Sequence, residues 1–146
     1  MKEQSGVSLG RCTLAGLFAG IVAAVLANLA LLILVKQMGQ SFDVLNWFSV
    51  GRASMVSCLL GAFVFGALAR WTRRPVLWFV VAGLAVATLD SVMVYLHPPE
   101  PGIARIANPL HYVVAITALV FIPALAPAFR QPAPSRGNPP AVPTAS

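Results

Sequence analysis

Four long apolar runs fill most of this chain, and they limit what it can fold into. Cys12–Val35 and Ala53–Ala69 carry no charge, Pro75–Leu96 carries only Asp90, and Ile106–Phe129 carries none unless His111 is protonated. Basic residues fence the runs: Arg11 and Lys36, Arg52 and Arg70, Arg74, then Arg105 and Arg130. A helix needs roughly 20 apolar residues to cross about 30 Å of hydrocarbon. Inside that layer only helices and closed barrels satisfy their own backbone groups. The sequence therefore predicts an all-α fold, an integral membrane antiparallel four-helix bundle with short loops. The helices are expected at about 12–36, 52–70, 75–96 and 108–127, within one transmembrane domain over 1–129.

The alternative, a water-soluble bundle, conflicts with composition. The chain is 58% hydrophobic and 10% charged, where soluble domains average about 25% charged. The net charge of +6 does not point to nucleic acid, because the cations sit at helix ends and form no continuous basic stripe. Their distribution reads instead as a topology signal. With the N-terminus, the loop between helices 2 and 3 and the C-terminal tail on one side, that side holds seven positives: Lys2, Arg11, Arg70, Arg73, Arg74, Arg130 and Arg136. The opposite side holds three, Lys36, Arg52 and Arg105. The positive-inside rule then places both termini in the cytoplasm. The first run is too long for a cleavable signal, so it reads as a retained helix.

Between the helices, residues 37–50 form the one sizeable external loop, read either as an interfacial segment with Phe42, Trp47 and Phe48 in the aromatic belt or as a lid over a pocket. His97-Pro98-Pro99 ends helix 3, since proline cannot continue a helix. Asn108-Pro109 reads as an N-cap and first turn, and Pro123 and Pro127 as kinks or stops in helix 4. Residues 130–146, rich in proline, read as a disordered cytoplasmic tail. Cys12 and Cys58 belong to no Cys/His cluster and read as small packing residues.

Polar residues inside the runs are few, and their depths agree. At about 1.5 Å per residue, Asn28 lies about 25 Å above Arg11, Ser54 about 24 Å above Arg70, Asp90 about 24 Å above Arg74, and His111 about 24–28 Å above the far end of helix 4. Asn28, Ser54, Asp90 and His111 thus form a candidate polar layer in the outer third of the membrane. Asp90 and His111 are a plausible pair, with Arg52 and Arg105 as rival partners. Small residues suggest how the helices approach. Gly16 and Gly20, continued by Ala24 and Asn28, recur every four residues on helix 1, and Cys58, Ala62 and Gly66 do so on helix 2, the pattern that lets membrane helices come close. Gly83, Ala87 and Asp90 share a face of helix 3, and His111, Ala115 and Ala118 share one of helix 4.

Ionisable residues at membrane depth raise a functional question by default. Three readings of the layer compete: hydrogen bonds that hold the bundle together, a proton-linked or small-ligand site, and a metal or haem site. The last lacks a ligand set, with two histidines in the chain and no carboxylate cluster. No G-x-S-x-G, H-E-x-x-H or phosphate-binding glycine loop occurs. No enzyme activity, cofactor or metal is expected.

Several stretches are distinctive: Leu26-Ala27-Asn28-Leu29, Arg73-Arg74-Pro75-Val76-Leu77-Trp78-Phe79, Leu110-His111-Tyr112-Val113-Val114-Ala115 and Ile122-Pro123-Ala124-Leu125. Over roughly Arg11–Arg130 the chain resembles a family of small bacterial four-helix membrane proteins known only as a domain of unknown function. The resemblance implies a bacterial inner-membrane location and matches Asn28 and His111 to that family's helix 1 Asn and helix 4 His; Asp90 corresponds to no fixed position there. It implies no activity. The expected role is a non-enzymatic structural or accessory membrane protein, with lipids and a homo-oligomer or another membrane protein as partners. The alternative is a small oligomeric transporter or proton-coupled carrier that uses the polar layer.

Overall fold

A computed structural model describes residues 9–39 and 42–128. Four helices follow one another: α1 (Leu9–Met38), α2 (Trp47–Trp71), α3 (Pro75–Leu96) and α4 (Ala104–Ala128). All four are long and apolar enough to cross a membrane. They form an up-down-up-down antiparallel bundle. One end carries the basic turn at 72–74, and the other carries the two connections 39–46 and 97–103. We call these the turn end and the loop end. The tail at 130–146 lies outside the described residues.

Helix boundaries follow local chemistry. α1 closes on Gly39, whose φ of 63° is the left-handed conformation glycine adopts without strain; its N–H reaches the Val35 carbonyl at 2.9 Å. α2 begins at Trp47, five residues before the expected start. Asn46 and Ser49 form a reciprocal capping box: Asn46 Oδ1 accepts the Ser49 N–H at 2.9 Å, and Ser49 Oγ accepts the Asn46 N–H at 3.1 Å. The loop is shortened accordingly, and Trp47 and Phe48 stand exposed on the first turn of α2. Phe42 instead packs inward against the loop-end core.

α3 runs from Pro75, at the first helical turn where its missing N–H costs nothing, to Leu96, as expected. α4 begins at Ala104, so Asn108 is not its N-cap. The helix is launched by a tight turn instead. Gly102 sits at φ 83°, and short bonds follow from Arg105 N–H to the Gly102 carbonyl (3.2 Å) and from Ile106 N–H to the Ile103 carbonyl (3.0 Å). Burial of Ile103, Ile106, Ala107 and Leu110 then anchors this first stretch. α4 continues through Pro123 to Ala128, so Pro123 does not end it.

The helices pack unequally. α1 lies against α2 and α4, and α3 touches only α2 and α4 among the described residues. On α1, Ala15, Ala19, Ala23 and Ala27 are wholly buried. Gly16 and Gly20 sit so close to α2 that a Cβ on Gly16 would lie 2.7 Å from Ala62 Cβ, and one on Gly20 would lie 2.8 Å from Met55 Sδ. A Cβ on Gly66 of α2 would lie 3.0 Å from Cys12 Sγ. The small-residue stripes of the two helices therefore form one contact. Its attraction is close van der Waals packing, because lipid tails are as apolar as the side chains they would replace. Cys12 and Cys58 are both free and buried in this seam. A turn-end core joins Cys12, Ala15, Ala19, Ala62, Phe65, Phe79 and Ile122. A smaller loop-end core joins Ala27, Leu31, Val50, Ile106 and Leu110. Of α3, only Phe79, Ala87 and Ser91 are buried.

Candidate functional site

Because α3 stands away from α1, the space between α2, α3 and α4 is not filled. It is a cavity of about 660 Å³. Its lower limit is set at the turn end, where α2 and α3 meet through the edge-to-face rings of Phe65 and Phe79, 5.3 Å between centroids. There a Cβ on Gly83 of α3 would lie 2.7 Å from Leu119 Cδ2 of α4. At the loop end the cavity is roofed by Val44 and Leu45. That roof is tied across the bundle, since the Val44 N–H donates to Glu100 Oε1 at 3.2 Å. Glu100 belongs to the α3–α4 connection, so the two loops close over the same space. On the flank between α2 and α3, Leu60, Val64 and Val86 line the cavity and are also exposed, Val86 by 61%. The opening therefore faces sideways, toward what would be the lipid chains.

The lining is apolar along most of its length and polar near the roof. Leu60, Gly61, Val64, Phe79, Ala82, Gly83, Val86, Ala118 and Leu119 make the long apolar part. Ser49, Ser54, Ser57, Asp90 and His111 make the polar end. Of the four residues of the expected polar layer, three share this cavity. Ser54 donates its hydroxyl to the Val50 carbonyl at 2.8 Å, which satisfies its donor within its own helix and leaves its oxygen as an acceptor. Asp90 is exposed toward the opening. His111 lines the same cavity, and its Nδ1 is buried with no hydrogen-bond partner. The two side chains thus face one space without a direct bond through that nitrogen. Asn28 Oδ1, Ser91 Oγ and Asn108 Oδ1 are likewise buried without a partner; the polar side chains of the lining that are open to the cavity are Asp90 and Ser57.

Asn28 lies elsewhere. Its amide donates to the Ala24 carbonyl at 2.9 Å, and its Nδ2 is what a Cβ on Gly51 would meet, at 3.7 Å. It belongs to the α1–α2 contact and does not line the cavity. Gly16, Gly20, Ala62 and Gly66 all lie in that same contact. Arg52, one expected rival for Asp90, is drawn over the Phe48 ring at 5.8 Å.

Sequence reasoning missed Ser57; of its two readings of residues 37–50, the lid over a pocket is the one that Val44 and Leu45 match by lining the cavity. Ser54, Ser57, Gly61 and Val64 form a second face of α2, about a third of a turn from the Cys58–Ala62–Gly66 stripe. That spacing was readable in the sequence as a small and polar band. Among the described residues no three His, Cys, Asp or Glu side chains gather in one place. Among the described residues the cavity lining holds one carboxylate and one imidazole and no lysine or arginine. Such a set can accept hydrogen bonds and offset positive charge.

No protein-family model matches the chain, and neither the curated proteins nor the solved structures include a significant match. The resemblance to the four-helix family rests on the short motifs quoted above.

Proposed function

We propose that this chain is a multi-pass protein of the bacterial inner membrane, with both termini in the cytoplasm, and that its role is non-enzymatic: it holds a small, largely apolar molecule between α2, α3 and α4. The observation that carries this reading is the roofed, laterally open cavity of about 660 Å³, within the range of roughly 300–1,000 Å³ of small-molecule sites. The orientation rests on the seven-to-three bias of positive charge across short loops.

Two measurements test the proposal. Phosphatase fused at Gly102 should be active and at Ser146 inactive; the reverse pattern overturns the topology. In lipid nanodiscs, the uncharged fluorophore N-phenyl-1-naphthylamine should show a saturable component above its partition into lipid. Ala115→Phe, which fills the cavity from α4, should abolish that component. If no saturable component exists, or if it survives the Phe, the cavity is not a binding site.

One observation favours a second reading. Asp90 and His111 are both titratable and line the same space, as a proton-coupled carrier requires. Four helices make a thin transporter, so that reading calls for a homo-oligomer. It predicts ligand-driven proton movement in proteoliposomes that Asp90→Asn removes. A simple binding protein shows none.

A further inference from the structure

We infer that the occupant of this cavity is a single-chain amphiphile with a protonated amine as its head, seated with the ammonium against Asp90 and the alkyl chain running toward Phe79. The inference rests on the proposed reading of the cavity as a binding site and adds the chemistry of the ligand. Three features of the lining lead to it.

The first is charge. Asp90 brings the cavity a carboxylate, and no lysine or arginine in the lining opposes it. A carboxylate at membrane depth is costly unless it is paired, and no cation among the described residues of the lining pairs with it. An anionic head, such as a phosphate or fatty carboxylate, would meet like charge and no balancing arginine.

The second is hydrogen bonding. His111 Nδ1 is buried and unpartnered, and the Ser54 hydroxyl hydrogen is already given to Val50. The acceptors open to the cavity are the two carboxylate oxygens of Asp90 and the Ser57 oxygen, since Ser54 is only 1% exposed and the His111 nitrogen is closed off. A primary ammonium carries three N–H donors and no acceptor, which complements that set. A quaternary ammonium would satisfy the charge and donate to none of these oxygens.

The third is shape. From Asp90 to Phe79 the wall of α3 covers 90 − 79 = 11 residues, about 16 Å of helix rise, the reach of a medium-length alkyl chain. The wall over that distance is made by Val86, Gly83 and Ala82 of α3 facing Val64, Gly61 and Leu60 of α2. The roof of Val44 and Leu45, held by Glu100, closes the loop end. Access is then sideways between α2 and α3, from the bilayer, where such amphiphiles dissolve.

The experiment is displacement of N-phenyl-1-naphthylamine from the protein in nanodiscs of uncharged net surface, by dodecylammonium, dodecyltrimethylammonium and 1-dodecanol. Dodecylammonium should displace the fluorophore at least tenfold more tightly than dodecanol, with the trimethyl compound between them. Asp90→Asn should remove most of that tenfold preference while fluorophore and dodecanol binding stay within about twofold of the parent, which also shows that the variant is folded. Equal displacement by dodecanol and dodecylammonium, or a preference that survives Asp90→Asn, overturns the cationic head and leaves the cavity as a site. Absence of any specific fluorophore binding overturns the reading beneath it.

Discussion

α2 meets α1 and α3 in opposite ways. Toward α1 it presents Cys58, Ala62 and Gly66, and the two backbones come so close that a single added methyl on Gly16 would collide with Ala62, while one on Gly20 would displace the Met55 side chain. Toward α3 it presents Ser54, Ser57, Gly61 and Val64, and the neighbouring helix stands off, leaving about 660 Å³ between them. Both faces carry small residues. A small side chain allows close approach without enforcing it; what differs is the partner surface. α1 answers with glycine and alanine every four residues, so the two surfaces interlock. α3 answers with Asp90, Val86 and Ala82, and direct α2–α3 ring contact is confined to Phe65 and Phe79 at the turn end. The close-packed wall gives the bundle its rigidity. The open wall gives it a site, and the loop-end polar residues lie where that site is widest in chemistry.

This contrast can be broken at either wall. The largest effect is expected from Gly16→Leu combined with Gly20→Leu. Overfilling a packed contact costs about 1–3 kcal/mol per site and more where backbone lies in the way, and here the Cys58 carbonyl oxygen is 3.2 Å from the Gly16 position. The double variant should lose monodisperse protein in detergent chromatography; elution and melting like the parent would show that this wall is not tightly packed. Next comes Ile122→Ala. Ile122 is wholly buried in the turn-end core, so its truncation should cost about 2–4 kcal/mol, read as a lowered melting midpoint, while yield remains. A midpoint unchanged within error would place Ile122 at a yielding surface. The smallest effects belong to the open wall. Ser57→Ala and Asp90→Asn touch groups exposed toward the cavity, and each should change stability by less than about 0.5 kcal/mol. A large loss in either would mean that these groups hold the bundle together, contrary to their placement.

How much of this was legible beforehand depended on what kind of signal each feature carries. α3 was read to the residue, because Arg74-Pro75 and His97-Pro98 leave the backbone no choice. The start of α2 was missed because its cap pairs Asn46 with Ser49, where the familiar capping box has Glu or Gln at that second position. The start of α4 was misread for the reverse reason: Asn108-Pro109 looks like a helix start, yet the turn at Gly102 and the burial of Ile103 and Ile106 begin the helix earlier. Depth counting brought Ser54, Asp90 and His111 to one level, and they do line one cavity. It brought Asn28 to that level too, and depth alone could not say that Asn28 points into a different contact. The lid reading of 37–50 raised a pocket, but which helices line it and how large it is were beyond the sequence. Periodicity tells which side of a helix is small or polar, and the distance to the next helix is settled by what that helix presents in return.

The claim that α1–α2 is closed and α2–α3–α4 is open is tested most directly by one matched pair of substitutions. Ala19 and Ala115 are the same residue on the two walls, the first wholly buried in the packed core and the second lining the cavity. Thermal melting of Ala19→Phe and Ala115→Phe in the same detergent compares them. The account predicts that Ala115→Phe melts within about 2 °C of the parent, a shift that corresponds to well under 1 kcal/mol, while Ala19→Phe fails to give a cooperative transition. Equal losses in the two variants would contradict it, because the space beside Ala115 would then be closed in the folded protein.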